Sequence, residues 1–135
     1  MMIELQPTDP LFVELERYFN EYARTFDSKD WLSFVEHYHE PALSIRGDGT
    51  HMLLTDRTIA KEFFESVAST WANEGYSYFT TRERQVHQLG SLCAVVTFVW
   101  EMRRQDGSLI RDWRQSYEVV RRGANWQVVL STFHA

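Results

Sequence analysis

Through the first half of the chain apolar residues recur every three to four positions; after Gly75 they recur every second one. Behind Asp9-Pro10, an N-cap followed by proline at the first helical position, Leu11, Leu15, Tyr18/Phe19, Tyr22 and Phe26 form a stripe that predicts a first helix. Ser28 caps a second, shorter helix in which Trp31, Phe34/Val35 and Tyr38 share a face and which Pro41 ends. Residues 42–45 and 52–54 predict short strands around the glycine-bearing turn Arg46-Gly-Asp-Gly-Thr50. A third helix begins at Thr55-Asp56, carries Ile59/Ala60, Phe63/Phe64, Val67/Ala68 and Trp71/Ala72 on one side, and stops at Gly75. The period-two stretches 76–89, 92–103, 109–122 and 126–133 predict four long strands, joined by Gly90-Ser91, Asp106-Gly107 and a turn at Gly123, connections so short that neighbours must be antiparallel. In the second of these, Leu92, Ala94, Val96, Phe98, Trp100 and Met102 make a wholly apolar face. In the third, Trp113, Gln115, Tyr117 and Val119 face one way and Asp112, Arg114, Ser116 and Glu118 the other. The fourth has large apolar residues on both faces and is expected to be covered on both. Helices first and a meander afterwards predict an α+β domain with its helices packed on one side of a curved antiparallel sheet.

Composition narrows this picture. A chain of 135 residues is expected to be a single domain spanning 1–135, burying roughly 68% of the surface its unfolded form exposes. The formal charge of −5 argues against nucleic acid or an anionic membrane as the main partner. Cys93 has no partner for a disulfide, which suits a reducing compartment. The N-terminus has no basic segment followed by an apolar run, and no apolar run reaches the ~18 residues of a membrane span, so a soluble cytoplasmic protein is expected.

The order of three amphipathic helices and a curved meander, with the Tyr38-x-x-Pro41 sequence, Asp106-Gly107, Arg114-Gln-Ser116 and the Gly123-x-x-Trp126 turn, resembles the NTF2-like superfamily, and more closely its SnoaL-like and DUF4440-type members. The resemblance covers about Leu11 to His134. It implies a cone: a strongly curved sheet wrapped round three N-terminal helices, enclosing a pocket, with homodimers formed through the outer sheet face. Members of that superfamily include ketosteroid isomerase, scytalone dehydratase, polyketide cyclases, a kinase association domain and non-catalytic transport factors, so membership leaves function open.

In such a cone the pocket is implied to be lined by Tyr22, Phe26, Trp71, Phe98, Trp100, Trp113, Gln115 and Tyr117. These aromatics either surround a small flat organic ligand or fill the cone as ordinary core. By the same resemblance Tyr22 falls where ketosteroid isomerases place the tyrosine that donates to a developing enolate oxygen. Their carboxylate base falls at or beside Arg46, and an arginine cannot take up a proton. Trp100 and Tyr117 stand where the kinase association domain has pocket arginines. His134 is implied to lie near the rim, a candidate catalytic base if Asp112 or Glu118 faced inward; alternation sets both carboxylates opposite Trp113. His37 and His39 would point about 200° apart on a helix, which disfavours joint metal ligation. Asp48 and His51 flank the Arg46 turn, either at a pocket mouth or in solvent. Arginine outnumbers lysine twelve to two, and arginine–carboxylate ladders across the strands account for this. Cys93 has no basic neighbour to activate it and reads as a small apolar residue.

The resulting expectation is a homodimer that binds a small apolar or aromatic molecule in its cone, with any chemistry being acid–base work without a cofactor or metal. The alternative is a non-catalytic association module whose cone is plugged by its own aromatics and whose working surface lies around Val95, Val99, Val120, Val129 and Phe133.

Overall fold

The computed structural model describes residues 2–134. In chain order its elements are β1 (Ile3–Glu4), α1 (Pro10–Asp27), α2 (Trp31–Val35), β2 (Tyr38–Ile45), β3 (His51–Leu54), α3 (Arg57–Asn73), β4 (Tyr78–Gln88), β5 (Cys93–Arg103), β6 (Leu109–Arg122) and β7 (Asn125–Phe133). The strands form one seven-stranded sheet in the order β1-β4-β5-β6-β7-β2-β3, and the three helices pack on one face.

Helix α1 supplies most of what covers the sheet. Pro10 occupies its first turn, where no N–H is needed, and Phe12, Leu15, Phe19, Tyr22 and Phe26 are buried at a spacing of three and four. Phe19 seats this helix, with its ring 5.2 Å from Phe98 of β5 and 4.9 Å from Tyr117 of β6. Asp56 caps α3 by accepting from Ile59 N–H at 2.9 Å. Beyond α3, Gly75 takes φ of +97°, a left-handed conformation costly for other residues.

Four sequence expectations are corrected here. Helix α2 has only five residues and is capped by Asp30, whose carboxylate accepts from Ser33 N–H; Ser28 instead closes α1. Tyr38 opens β2 rather than continuing α2, and Pro41 lies inside that strand, after the cis Glu40–Pro41 bond, where the β2–β7 register shifts and no donor is required. The sheet is mixed: β2 pairs in parallel with β7, a pairing allowed by the long crossover through α3 and the β4–β6 meander. Leu92, expected on the inner face of β5, precedes the strand and is 57% exposed, while Ala94, Val96, Phe98 and Met102 are fully buried.

Two bulges decide which side chains enter the cone. One, between Arg82 and Gln85 on β4, contains Glu83 at φ +56°. The other lies between β6 and β7, where Glu118 pairs with Leu130 but Val119 with Val128, leaving Val129 as the extra residue. Past this bulge the parity of β7 is reversed. Trp126 and Val128 are inside before it, Ser131 and Phe133 after it, so Phe133 belongs to the interior and not to the outer face expected for it.

Phe19→Ala removes the ring that seats α1 and is expected to cost about 3–5 kcal/mol, whereas Leu32→Ala, at a side chain 74% exposed, should be nearly silent. Denaturant unfolding of the two variants reads the contrast; a small loss for Phe19→Ala would mean that α1 is not held by this contact.

Candidate functional site

Between α1, α3 and the inner faces of β2, β6 and β7 lies a cavity of about 680 Å³. Tyr22, Phe26, Trp71, Trp100, Trp113, Gln115 and Tyr117 all line it, together with Tyr38, Ser44, Phe63, Phe64, Phe79, Ser131 and Phe133. The cone is therefore hollow rather than plugged.

Phe98 is the exception among the expected lining residues. It is fully buried at the back of the wall, 4.7 Å from Trp100 and stacked on Tyr117, with the Arg84 guanidinium 5.0 Å from its ring. Paired with Gln115, it supports the wall without reaching the cavity.

His134 is also placed away from the cavity. Its backbone N–H extends the β6–β7 ladder to Arg114 O at 2.9 Å, and its ring Nε2 lies 2.7 Å from Ser116 Oγ on the outer face. It follows Phe133, which faces inward, and alternation turns it outward. Asp112 lies outside as well, 2.9 Å from Arg82, within a ladder of Arg82, Arg103 and Arg114 against Glu83, Glu101 and Asp112. His37 and His39 are each tied to nearby backbone, through Phe34 O at 3.0 Å and Pro41 O at 2.9 Å. His51 is exposed on β3 and is not part of the lining, whereas Arg46 and Asp48 border the mouth with Glu74 and Arg111.

Most of the interior polar atoms are satisfied by one another. The hydroxyls of Tyr22 and Tyr38 are 2.6 Å apart, Trp100 Nε1 donates to Tyr117 Oη at 2.8 Å, and Trp113 Nε1 donates to Gln115 Oε1 at 3.0 Å. Because Tyr117 accepts from Trp100, its own proton remains to be donated. Burial holds the Tyr22 and Tyr117 phenols well above their usual range, so both stay protonated, as donors rather than bases, at any ordinary pH. Among the described residues Trp126 Nε1 and Arg84 Nε are buried with no partner, and three further groups open onto the cavity. Gln115 is 4% exposed, and its amide NH₂ makes no hydrogen bond among the described residues; the hydroxyls of Ser131 (2%) and Ser44 (8%) likewise make none. Their residues are buried but their polar atoms are accessible from the cavity, so these three are placed to meet water or a ligand there.

Tyr38, Ser44, Phe63, Phe64, Phe79, Ser131 and Phe133 were missed among the lining residues. Ser44 had a signal, since it continues the inner face of Ala42. Ser131 and Phe133 had none, because the bulge at Val129 is invisible to strict alternation.

The chain belongs to a family of NTF2-like proteins, DUF6841, whose profile matches residues 13–135. Among solved structures it is similar to Aln2 from a Streptomyces species, with a TM-score of 0.78 at 13% identity over 96% of this chain and 94% of that one. A protein of unknown function with a cystatin-like fold from Nostoc punctiforme gives a TM-score of 0.74 at 11% identity, covering 98% and 94% of the two chains. A protein assigned as a scytalone dehydratase from Novosphingobium aromaticivorans gives 0.66 at 13% identity, covering 88% and 79%. At these identities the likeness establishes the fold alone. No curated protein matches the sequence.

One carboxyl near the site is strongly perturbed. Asp27, at the C-terminal end of α1, accepts from Tyr76 Oη at 2.5 Å and from Phe79 N–H at 3.3 Å, and burial pushes it from 3.8 up to about 6. The folded state thus keeps a proton that the unfolded chain releases near pH 4, so this group's stabilisation is complete below about pH 4 and is lost as pH rises through 6. Relative to Asp27→Asn, the wild-type Tm should accordingly fall between pH 4.5 and 7.5, and the Asp27 carboxyl carbon should titrate near 6 by NMR. A midpoint near 4 would contradict the burial argument.

Proposed function

We propose that this protein binds a small, flat, largely apolar organic molecule in its cone. The observation that carries this reading is the combination in one place of a hollow of about 680 Å³, aromatic walls, and the Gln115 amide NH₂ and Ser131 and Ser44 hydroxyls open to its interior. The chemistry such an interior can offer is polarisation of a ligand carbonyl by protonated tyrosines, with Tyr22 and Tyr117 as donors. Among the described residues no general base lies within reach: the carboxylates that border the cavity, Asp48 and Glu74, are at the mouth, and His134 is on the outer face. Binding, with cofactor-independent acid–base turnover only if the ligand brings or recruits its own base, is the function proposed.

The association-module alternative loses its plugged cone, but its surface remains part of the proposal. Val95 and Val120 lie half-buried on the outer sheet face beside the arginine–carboxylate ladder, with Val99 already covered at 4% exposed, and this face is proposed to pair two copies of the chain. The compartment proposed is the reducing cytoplasm, on the single Cys93.

Thermal stabilisation against a panel of steroids, aromatic polyketides and short acids tests the cavity. A ligand at about 100 times its Kd should stabilise the fold by roughly 2.7 kcal/mol, a shift of several degrees. Ser131→Leu, which places a larger side chain in the hollow, should abolish the shift while the protein stays folded. Tyr22→Phe should weaken binding of carbonyl ligands, because it removes the hydroxyl proposed to donate to the carbonyl while the Tyr38 hydroxyl, 2.6 Å away, remains. A broad panel without any shift would count against the cavity reading.

Sedimentation of Val95→Glu tests the dimer: a charge buried without a partner should leave monomers, and a dimer that persists unchanged would reject the outer face as its interface.

A further inference from the structure

The polar atoms of the cavity are laid out in rows, because three neighbouring strands are in register along its floor. Ser44 of β2 is level with Ser131 of β7, and Ser131 with Tyr117 of β6. One pleat nearer the mouth, Phe133 is level with Gln115. Arg46, two residues beyond Ser44, has its backbone N–H bonded to Thr50 O at 2.8 Å, so it continues the hairpin on the cavity-facing side of β2.

Of the four charged residues at the mouth, three are committed. Arg111 is held to Glu74 by bonds of 3.2 and 3.4 Å and lies 5.0 Å over the Trp113 ring. Asp48 accepts from Thr50 N–H at 2.9 Å and from Thr50 Oγ1 at 2.7 Å. The Arg46 guanidinium makes no hydrogen bond or ion pair among the described residues. Just inside it are the unpartnered hydroxyls of Ser44 and Ser131, and beside it the Phe133 ring stacks on Trp113 at 5.9 Å.

We propose that the ligand of this cavity is an aromatic carboxylic acid, with its ring along Trp113 and Phe133, its carboxylate on Arg46 at the mouth, and a further oxygen on Ser44 and Ser131. This rests on the reading of the cone as a binding cavity. A carboxylate fits better than a phosphate, because a single guanidinium with the Asp48 and Glu74 carboxylates also at the mouth balances one negative charge but not two.

The test compares matched acids and amides, naphthalene and biphenyl carboxylates against the corresponding carboxamides, by tryptophan fluorescence and thermal shift on wild type, Arg46→Gln and Ser131→Leu. The acids should bind about tenfold or more tighter than the amides to wild type. Arg46→Gln should erase that preference and leave amide affinity unchanged, and Ser131→Leu should abolish binding of both. Equal affinity of acid and amide in wild type, or a preference that survives Arg46→Gln, overturns the acid assignment while leaving the cavity in place. Binding that survives Ser131→Leu, or no binding by any of the four compounds, overturns the cavity reading and the acid assignment with it.

Discussion

The carbonyl oxygen of His37 accepts two hydrogen bonds at once, from the Tyr18 hydroxyl at 2.6 Å and from Val128 N–H at 2.7 Å. Those two bonds tie α1, the start of β2 and the last strand together at one atom. The parallel pairing of β2 with β7 begins there, and it brings Ser44 level with Ser131 and sets Tyr38 beside Tyr22. Without that pairing β2 and β3 would be a detached hairpin and the cone would lack one wall, since isolated two-stranded ribbons are at best marginal in water. The buried Tyr18 hydroxyl is as much part of this joint as the backbone, because leaving either donor unpaired in the interior carries a desolvation cost.

Around this joint the interior separates polar groups that are closed from those that are open. Tyr18, Tyr22, Tyr38, Trp100, Trp113 and Tyr117 all find partners within the protein. Such networks make the aromatic packing specific, since each hydroxyl or indole N–H fixes the orientation of its ring. Gln115, Ser44 and Ser131 are left open along the cavity floor. Apart from the Arg84 guanidinium packed on Phe98, charge among the described residues is gathered on the outer face and at the mouth, where exposed ion pairs contribute little to stability but set the local field.

Much of the fold was legible because it follows from local period. Helices α1 and α3, the last four strands and their order, and the inner face of β5 from Ala94 to Met102 come directly from spacing. The errors lie where a residue's state was set by a distant partner. Tyr38 carries a helical spacing relative to Phe34, yet it is drawn into a strand by pairing with Val128, ninety positions downstream. Phe133 was placed outside by counting residues, and one extra residue at Val129 turned it inward. Seven of the eight expected lining residues reach the cavity, since they sit on strands and helices whose parity holds; Phe98 and His134 do not reach it, the first filled over by Phe19, Trp100 and Tyr117, the second turned outward after Phe133.

The sequence by itself determined the α+β class, the number of helices, the antiparallel meander and the aromatic character of the inner wall, because these depend on periodicity and on turn residues such as Gly75 and Gly123 that act over a few positions. Only the tertiary structure decided that the cone is hollow, that Ser44 and Ser131 join Gln115 on its floor, and that the Arg46 guanidinium at its mouth makes no hydrogen bond or ion pair among the described residues. Register across a parallel pair, parity past a bulge and the space left between packed rings are properties of contacts between distant segments, and no local pattern encodes them.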